Sequence, residues 1–304
     1  MTAVIDLADA TVANAGPKMG RLGELVRAGG DVPAGFVIAS SVCSEDLLRE
    51  DIRTEIAAAY HRLSDDGSAP VVVRSSATDE DGSGASFAGV YNSYLGLVGV
   101  EEIIPAVQAC CSALHSERAA GYRERIGGES AADPATASSP SMAVGVMLMV
   151  AAKSSGVAFT VDPVTGRDDR FVIEATWGFG EPVVQGVVTP DRIEVGAEDG
   201  RILRYEPGEK KVALMYSEGR MTRVELKRTK ARTPALTPEE VEVLYARLRA
   251  VAELAGHPVD CEWVIDESGH AWIVQWRAVT ALPDNEDPEW DPAEYAARYA
   301  FRSG

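Results

Sequence analysis

One break in texture constrains this chain more than any other feature. Residues 127–141 read GGESAADPATASSPS, a run without helical or strand periodicity that reads as a linker or surface loop. Ahead of it, helices and strands alternate. Residues 18–28 place Met19, Leu22, Leu25 and Val26 at helical spacing and end at Gly29-Gly30, a helix stop signal. Residues 33–39 (PAGFVIA) and 70–73 (PVVV) read as strands. Residues 99–126 read as a long helix with Ile103, Val107, Cys110, Leu114 and Tyr122 on its apolar face. Behind the break come short β-branched strands at 142–150, 156–161, 170–175, 191–195, 201–205 and 211–215. The chain is therefore expected to divide into a lobe over 1–138, a second over 139–283 and an acidic tail or linker over 284–304.

One helix interrupts the second lobe. Thr237-Pro238-Glu239-Glu240 is a capping box with proline at the first helical position. Val241, Leu244, Leu248, Val251 and Leu254 form its stripe, and Gly256 closes it. Two strands follow, CEWVID and AWIVQW, joined by Glu267-Ser268-Gly269-His270.

Charge and apolar runs exclude several classes of function. Aspartate and glutamate number 47 against 29 lysine and arginine, a formal charge of −18. Such a chain lacks the basic field that nucleic acid or an anionic membrane selects, so neither is expected as a partner. An anion must be met locally, by a few basic side chains. The longest apolar run, residues 142–152, has 11 residues, short of the roughly 18 that a membrane span needs. The opening MTAVIDLADATV has no positive charge ahead of its apolar residues, unlike a secretory leader. Cys43, Cys110, Cys111 and Cys261 form no C-x-x-C pair and read as reduced core thiols, which places the chain in the cytoplasm.

Three constellations could carry chemistry. In the hairpin at 261–277, a loop centred on Ser268-Gly269 sets Glu262 opposite Gln275, and period 2 puts Arg277 on the same face. A carboxylate, an amide oxygen and an arginine on one sheet face suit Mg²⁺ bridging phosphates; the same spacing also fits a solvated polar stripe. The second is VVVRSSATDEDGSGASFAG (71–89), in which Arg74 leaves a strand into a loop with Gly82, Gly84 and Gly89. It matches neither a Walker loop nor a dinucleotide fingerprint. A strand-like VYNSYLGLVG follows it, so it reads either as a flap closing over phosphates or as a plain hairpin loop. The third is Asn14-Ala15-Gly16-Pro17-Lys18. A lysine at a helix start is disfavoured by the helix dipole unless an oxyanion shares the site.

These stretches together carry a resemblance. Lys18 in G-x-K-x-x-x-L-x-x-L, then VPAGFVI, VVVRSSATDEDGSGASFAG, MAVGVMLMVAAKSSGVAFTVDPVTG, EATWGFGEPVVQGVVTPD and VDCEWVIDESGHAWIVQWRAVT occur in order over about residues 14–280. They resemble the ATP-binding domain of the phosphoenolpyruvate synthase, pyruvate phosphate dikinase and rifampin phosphotransferase family. The resemblance implies an α+β, ATP-grasp-like fold of two lobes with ATP·Mg²⁺ in the cleft between them. It gives Lys18, Arg74 and Arg277 to the triphosphate as catalytic residues. Gly89 and Ser93 fall in the phosphate-covering loop, and Met149 and Val150 in a hinge that meets adenine. Glu174, Gly180 and Glu181 lie beside the nucleotide, with Glu262 and Gln275 as Mg²⁺ ligands. Departures from the family pattern are Gly16-Pro17 for two glycines, Val90 and Met147 for glutamines, and Ala278 for proline.

The family passes the β-phosphoryl group of ATP to a histidine on a swivelling domain and then to an acceptor in a third domain, releasing AMP and phosphate. His61, His115, His257 and His270 stand in no glycine-, threonine- and serine-rich histidine loop. The expectation is thus an ATP-dependent phosphotransferase component that needs a histidine-bearing partner domain or subunit and an acceptor domain. Two alternatives remain open: a stand-alone ligase making an acyl-phosphate with ADP release, and a non-catalytic ATP-binding regulator.

Overall fold

In the computed structural model, which describes residues 3–43, 48–65, 67–77, 93–113, 141–184 and 186–279, the strands sort into two separate antiparallel sheets and one hairpin. The chain forms two compact units, Met1–Arg27 with Pro33–Met149, and Ala28–Val32 with Val150–Gly304. Both mix helices with sheet, the α+β class expected. The expected flap glycines, the linker up to Pro140 and the acidic tail lie outside the described residues.

The first unit holds five strands in the order β1 (Val4–Asp6), β2 (Gly35–Ile38), β5 (Met142–Leu148), β3 (Val71–Ala77) and β4 (Ser93–Leu97). Period-2 alternation separates its faces. Phe36, Ile38, Val71, Val73, Val144 and Val146 join one apolar core with Ile52, Ile56 and Tyr60 of α2 (Glu50–Leu63) and Ile103, Val107 and Cys110 of α3 (Val100–Ala113). The other face carries Arg74 and meets α1 (Val12–Arg27). Burying a branched aliphatic side chain contributes about 1.5–3 kcal/mol, so this core fixes which face of β3 is left for polar work.

The second unit holds six strands in the order β13 (Ala271–Ala278), β12 (Val259–Asp266), β6 (Ala152–Phe159), β7 (Arg170–Trp177), β8 (Asp191–Gly196) and β9 (Ile202–Glu206). The hairpin of β10 (Val212–Ser217) and β11 (Arg220–Glu225) stands apart from that sheet. Short helices α4 (Glu181–Val184) and α5 (Arg228–Ala231) precede α6 (Pro238–Ala255), which packs on β12 and β13. The helix has the capping box and the left-handed Gly256 cap that the sequence calls for. A fully buried Lys210–Asp191 pair anchors the segment after β9. Asp191 also accepts hydrogen bonds from the Gly208 amide (2.8 Å), the Tyr205 hydroxyl (3.0 Å) and the Ala235 amide (2.6 Å). Both its oxygens are thereby satisfied, as a buried carboxylate requires.

Three readings are corrected. The strand read at 142–150 was expected in the second lobe, but β5 pairs with β2 and β3 of the first unit. Strand texture is local whereas sheet membership is set by long-range pairing, and the division falls at Met149/Val150 instead of 138/139. Cys43 and Cys111, expected as reduced thiols, form a disulfide with Cα atoms 5.0 Å apart. They are 68 residues apart in sequence, and only the packing of α3 beside the turn after β2 brings them together. Cys110 and Cys261 are buried thiols outside any disulfide. Burial pushes the Cys110 thiol up to about 12 against a smaller opposing effect of Lys18. Finally, the 261–277 hairpin turns through Glu267, Ser268 and Gly269, with the Asp266 amide donating to the His270 carbonyl (3.1 Å). Gly269 takes φ 84°, the left-handed position such a three-residue loop needs. A bulge at Val274 then restores the expected register, so Glu262 still faces Gln275.

Candidate functional site

Two polar sheet faces, one in each unit, carry several of the residues singled out in the sequence. In the second unit, strand register places Gln275, Glu262, Val157, Glu174 and Arg192 in one row across β13, β12, β6, β7 and β8. The next row on that face runs Arg277, Asp260, Phe159, Val172 and Glu194. The opposite face is apolar, with Cys261, Trp263, Ile173 and Ile193 all buried, so alternation alone aims the polar set the other way.

Within this set Arg277 donates from Nε to Asp260 Oδ2 at 2.8 Å, and its Nη2 lies 2.8 Å from the same oxygen. Arg192 lies 3.5 Å from both Asp162 and Glu194, and Arg170 donates to Glu194 at 2.7 Å. Burial raises the Glu174 carboxyl above the usual range; Arg192 opposes the rise and Asp260 adds to it. Gly178 and Phe179 of the W-G-x-G-E segment are tied down by backbone bonds to Lys153 (3.0 Å) and Leu214 (2.8 Å). Ser155 Oγ donates to the Gly178 carbonyl at 2.7 Å. Gly180 and Glu181 follow, with Glu181 opening α4.

The face in the first unit is built around a break in α1. Gly16 has φ 68° and ψ 171°, a conformation essentially confined to glycine. The helix restarts at Pro17, whose fixed φ suits a first turn, and Lys18 is its next residue. Met19 N donates to Ser76 Oγ at 3.3 Å, so β3 caps the restarted helix. A side chain on Gly16 would run into the Ser76 backbone, and one on Gly145 into the Met19 sulfur. Register aligns Gly145, Arg74 and Ser93 across β5, β3 and β4, and Ser76 shares their face by period 2. The first unit thus brings a helix N-terminus with Lys18 beside the strand of Arg74. A helix start and two cations of this kind are a donor set for an oxyanion.

Of the other expected residues, Met149 and Val150 fall on either side of the division between the units. The Met149 amide donates to the Pro70 carbonyl at 2.9 Å. Gly89 lies outside the described residues. Sequence reasoning missed Ser76, Arg192 and Asp260. The signal for Asp260 was available: it precedes Glu262 by two and faces Arg277 in the expected register.

The fold and these faces define an α+β chain of two units, each presenting polar and charged donors on one face of an antiparallel sheet. The family follows from comparison. Residues 42–295 match the pyruvate phosphate dikinase AMP/ATP-binding domain model, and the chain belongs to that family. Among similar proteins, the "Probable phosphoenolpyruvate synthase" of Archaeoglobus fulgidus is 34% identical over 92% of this chain and 42% of its own length. The rifampicin phosphotransferase of a Streptomyces species is 35% identical over 93% of this chain and 37% of its own. The phosphoenolpyruvate synthase of Aeropyrum pernix is 32% identical over 83% and 38%. The chain thus spans about two fifths of the length of these relatives.

Proposed function

We propose that this chain is the ATP-binding component of a dikinase-type phosphotransferase. It would activate ATP for transfer of the β-phosphoryl group to a histidine on a partner domain or subunit, with AMP and phosphate released. The observation that carries the reading is the Glu262–Gln275 pairing with Arg277 two residues on, within a family described as an AMP/ATP-binding domain. A carboxylate oxygen and an amide oxygen opposite each other on one sheet face are hard donors of the kind Mg²⁺ takes while keeping further positions for water and phosphate. Glu262 and Gln275 would hold the ion, and when bound it would neutralise charge on phosphate oxygens.

The chain's own part is positioning and charge. Arg277 offers a fork of N–H donors to a phosphate oxygen. In the first unit Lys18, Arg74 and the helix start at Pro17 offset polyphosphate charge against a chain of net charge −18. Phosphoryl transfer asks little covalent work of such a protein, since the transition state disperses charge that fixed donors can meet. Glu174, whose carboxyl burial raises above the usual range, lies in the same row two strands from Glu262 and is proposed to sit beside the nucleotide. Met149 and Val150 are proposed to offer backbone groups to adenine, Gly89 and Ser93 to close over phosphate, and Gly180 and Glu181 to line the same ligand.

Calorimetric titration with ATP, with and without Mg²⁺, tests the proposal. Wild-type protein should bind ATP in a Mg²⁺-dependent way. Glu262→Ala and Gln275→Ala should lose that dependence while keeping the wild-type circular dichroism spectrum. ATP binding that is indifferent to Mg²⁺ in all three proteins would overturn the metal assignment.

A further inference from the structure

We propose that Asp260 is the positioning residue for Arg277, holding the guanidinium in place for the phosphate that the preceding reading assigns to it. The inference rests on that reading for what Arg277 meets, and on the geometry of the second unit for the rest. Asp260 stands opposite Arg277 in the β12–β13 register, one same-face step from the Glu262–Gln275 pair. A single oxygen of Asp260, Oδ2, meets two Arg277 nitrogens, Nε at 2.8 Å and Nη2 at 2.8 Å. The pair is also unequally exposed: the Asp260 side chain is 12% exposed and that of Arg277 34%. The carboxylate is therefore the fixed partner and the guanidinium the reaching one.

Chemistry gives this pairing a consequence beyond an ordinary ion pair. Arginine is long and rotamer-rich, and ordering it when a ligand arrives weakens binding. A guanidinium whose Nε and Nη2 are already engaged has its plane set in advance. Its Nη1 hydrogens then belong to a group of defined orientation. An opposing effect exists. A carboxylate beside a phosphate-binding arginine competes for its charge, and on that account removing Asp260 should tighten nucleotide binding. The two accounts differ in sign, so experiment can separate them.

Both contacts go to one oxygen, and this selects the diagnostic substitution. In Asp260→Asn the amide oxygen can occupy the Oδ2 position and accept from both Nε and Nη2 with two lone pairs, although the charge is gone. In Asp260→Ala the Oδ2 acceptor is removed. Asp260→Val, a strand former of similar volume, is the second variant that lacks an acceptor, should the alanine protein not fold.

The experiment is calorimetric titration of the full chain with ATP·Mg²⁺ for the wild type, these three variants, Arg277→Ala, and the doubles Asp260→Ala/Arg277→Ala and Asp260→Val/Arg277→Ala. Asp260→Ala and Asp260→Val should weaken affinity about ten-fold, equivalent to about 1.4 kcal/mol. Asp260→Asn should stay within about three-fold of wild type, and each double should bind like Arg277→Ala alone. Affinity in Asp260→Ala or Asp260→Val equal to or tighter than wild type overturns the inference. So does a loss that persists undiminished in the Arg277→Ala background, since that is the mark of a general structural role. Arg277→Ala binding like wild type instead overturns the assignment of Arg277 to phosphate, a failure read from a different protein in the set.

Discussion

Gly16 shows how much one residue decides. Its φ of 68° and ψ of 171° break α1 and let the helix restart at Pro17, and that restart carries Lys18 and takes the Ser76 cap. An added methyl group would both oppose this backbone conformation and meet the Ser76 carbonyl oxygen. Backbone strain of this kind costs about 1–3 kcal/mol, and the contact adds to it. Gly16→Ala should therefore lose at least that much stability in urea unfolding and bind ATP more weakly. Unchanged stability would mean that the break in α1 is not needed. At this scale the Glu262–Gln275 pairing was legible from period 2 and a loop centre. Asp260 was not picked out, because an acid opposite an arginine on a strand reads as an ordinary solvated pair until burial and the shared Oδ2 are seen. Ser76 gave no signal, since its role as a cap lies across 57 residues of chain.

At the scale of elements, α6 was the most legible, because its ends are written in local chemistry. Thr237 Oγ1 accepts from the Glu240 amide at 3.3 Å, and Glu240 Oε2 accepts from the Thr237 amide at 2.9 Å. The other oxygen of Glu240 pairs with Lys153 on β6, so one side chain both caps the helix and ties it to the sheet. Thr237→Ala should cost about 1 kcal/mol. Glu240→Ala should cost more, because it also strips a part-buried ammonium of its partner. Urea denaturation compares the two, and equal losses would show that the Lys153 contact adds nothing. Elements defined by partners instead of ends were harder to read. The strand at Met142–Leu148 was recognised as a strand yet assigned to the wrong lobe, since only its pairing with β2 and β3 decides membership. The Cys43–Cys111 bond was invisible for the same reason. In the hairpin, a three-residue turn and a bulge at Val274 cancel, so the expected Glu262–Gln275 register survived an error in the loop.

For the whole molecule, the proposed reaction needs a histidine nucleophile, and none of the histidines among the described residues stands in a glycine-, threonine- and serine-rich loop. A histidine nucleophile must be poised within about 3–3.5 Å of the phosphorus. Of the four histidines, His61 lies within α2, His257 follows α6, and His270 sits beside the β12–β13 turn. His270 lies 3.2 Å from Asp31 Oδ1 and packs at a tilt against Trp272, ring centroids 4.6 Å apart, contacts that make it part of the turn's packing. His115 lies outside the described residues, and its sequence neighbours, Ala113-Leu114 and Ser116-Glu117, have none of the glycine and threonine of a histidine loop. The relatives extend well beyond the matched region, which covers only 37–42% of their length, room enough for the other domains of the proposed transfer. On the proposed reading, the 304-residue chain binds ATP yet forms AMP only at a background rate. Adding a histidine-bearing domain from such a relative should raise AMP formation by orders of magnitude, followed by nucleotide chromatography. Rapid AMP formation by the chain alone, with acid-labile phosphate on one of its own histidines at a matching rate, would make it a self-contained kinase and refute the partner requirement. ADP as the product, with or without the added domain, would point to acyl-phosphate chemistry and refute transfer of the β-phosphoryl group.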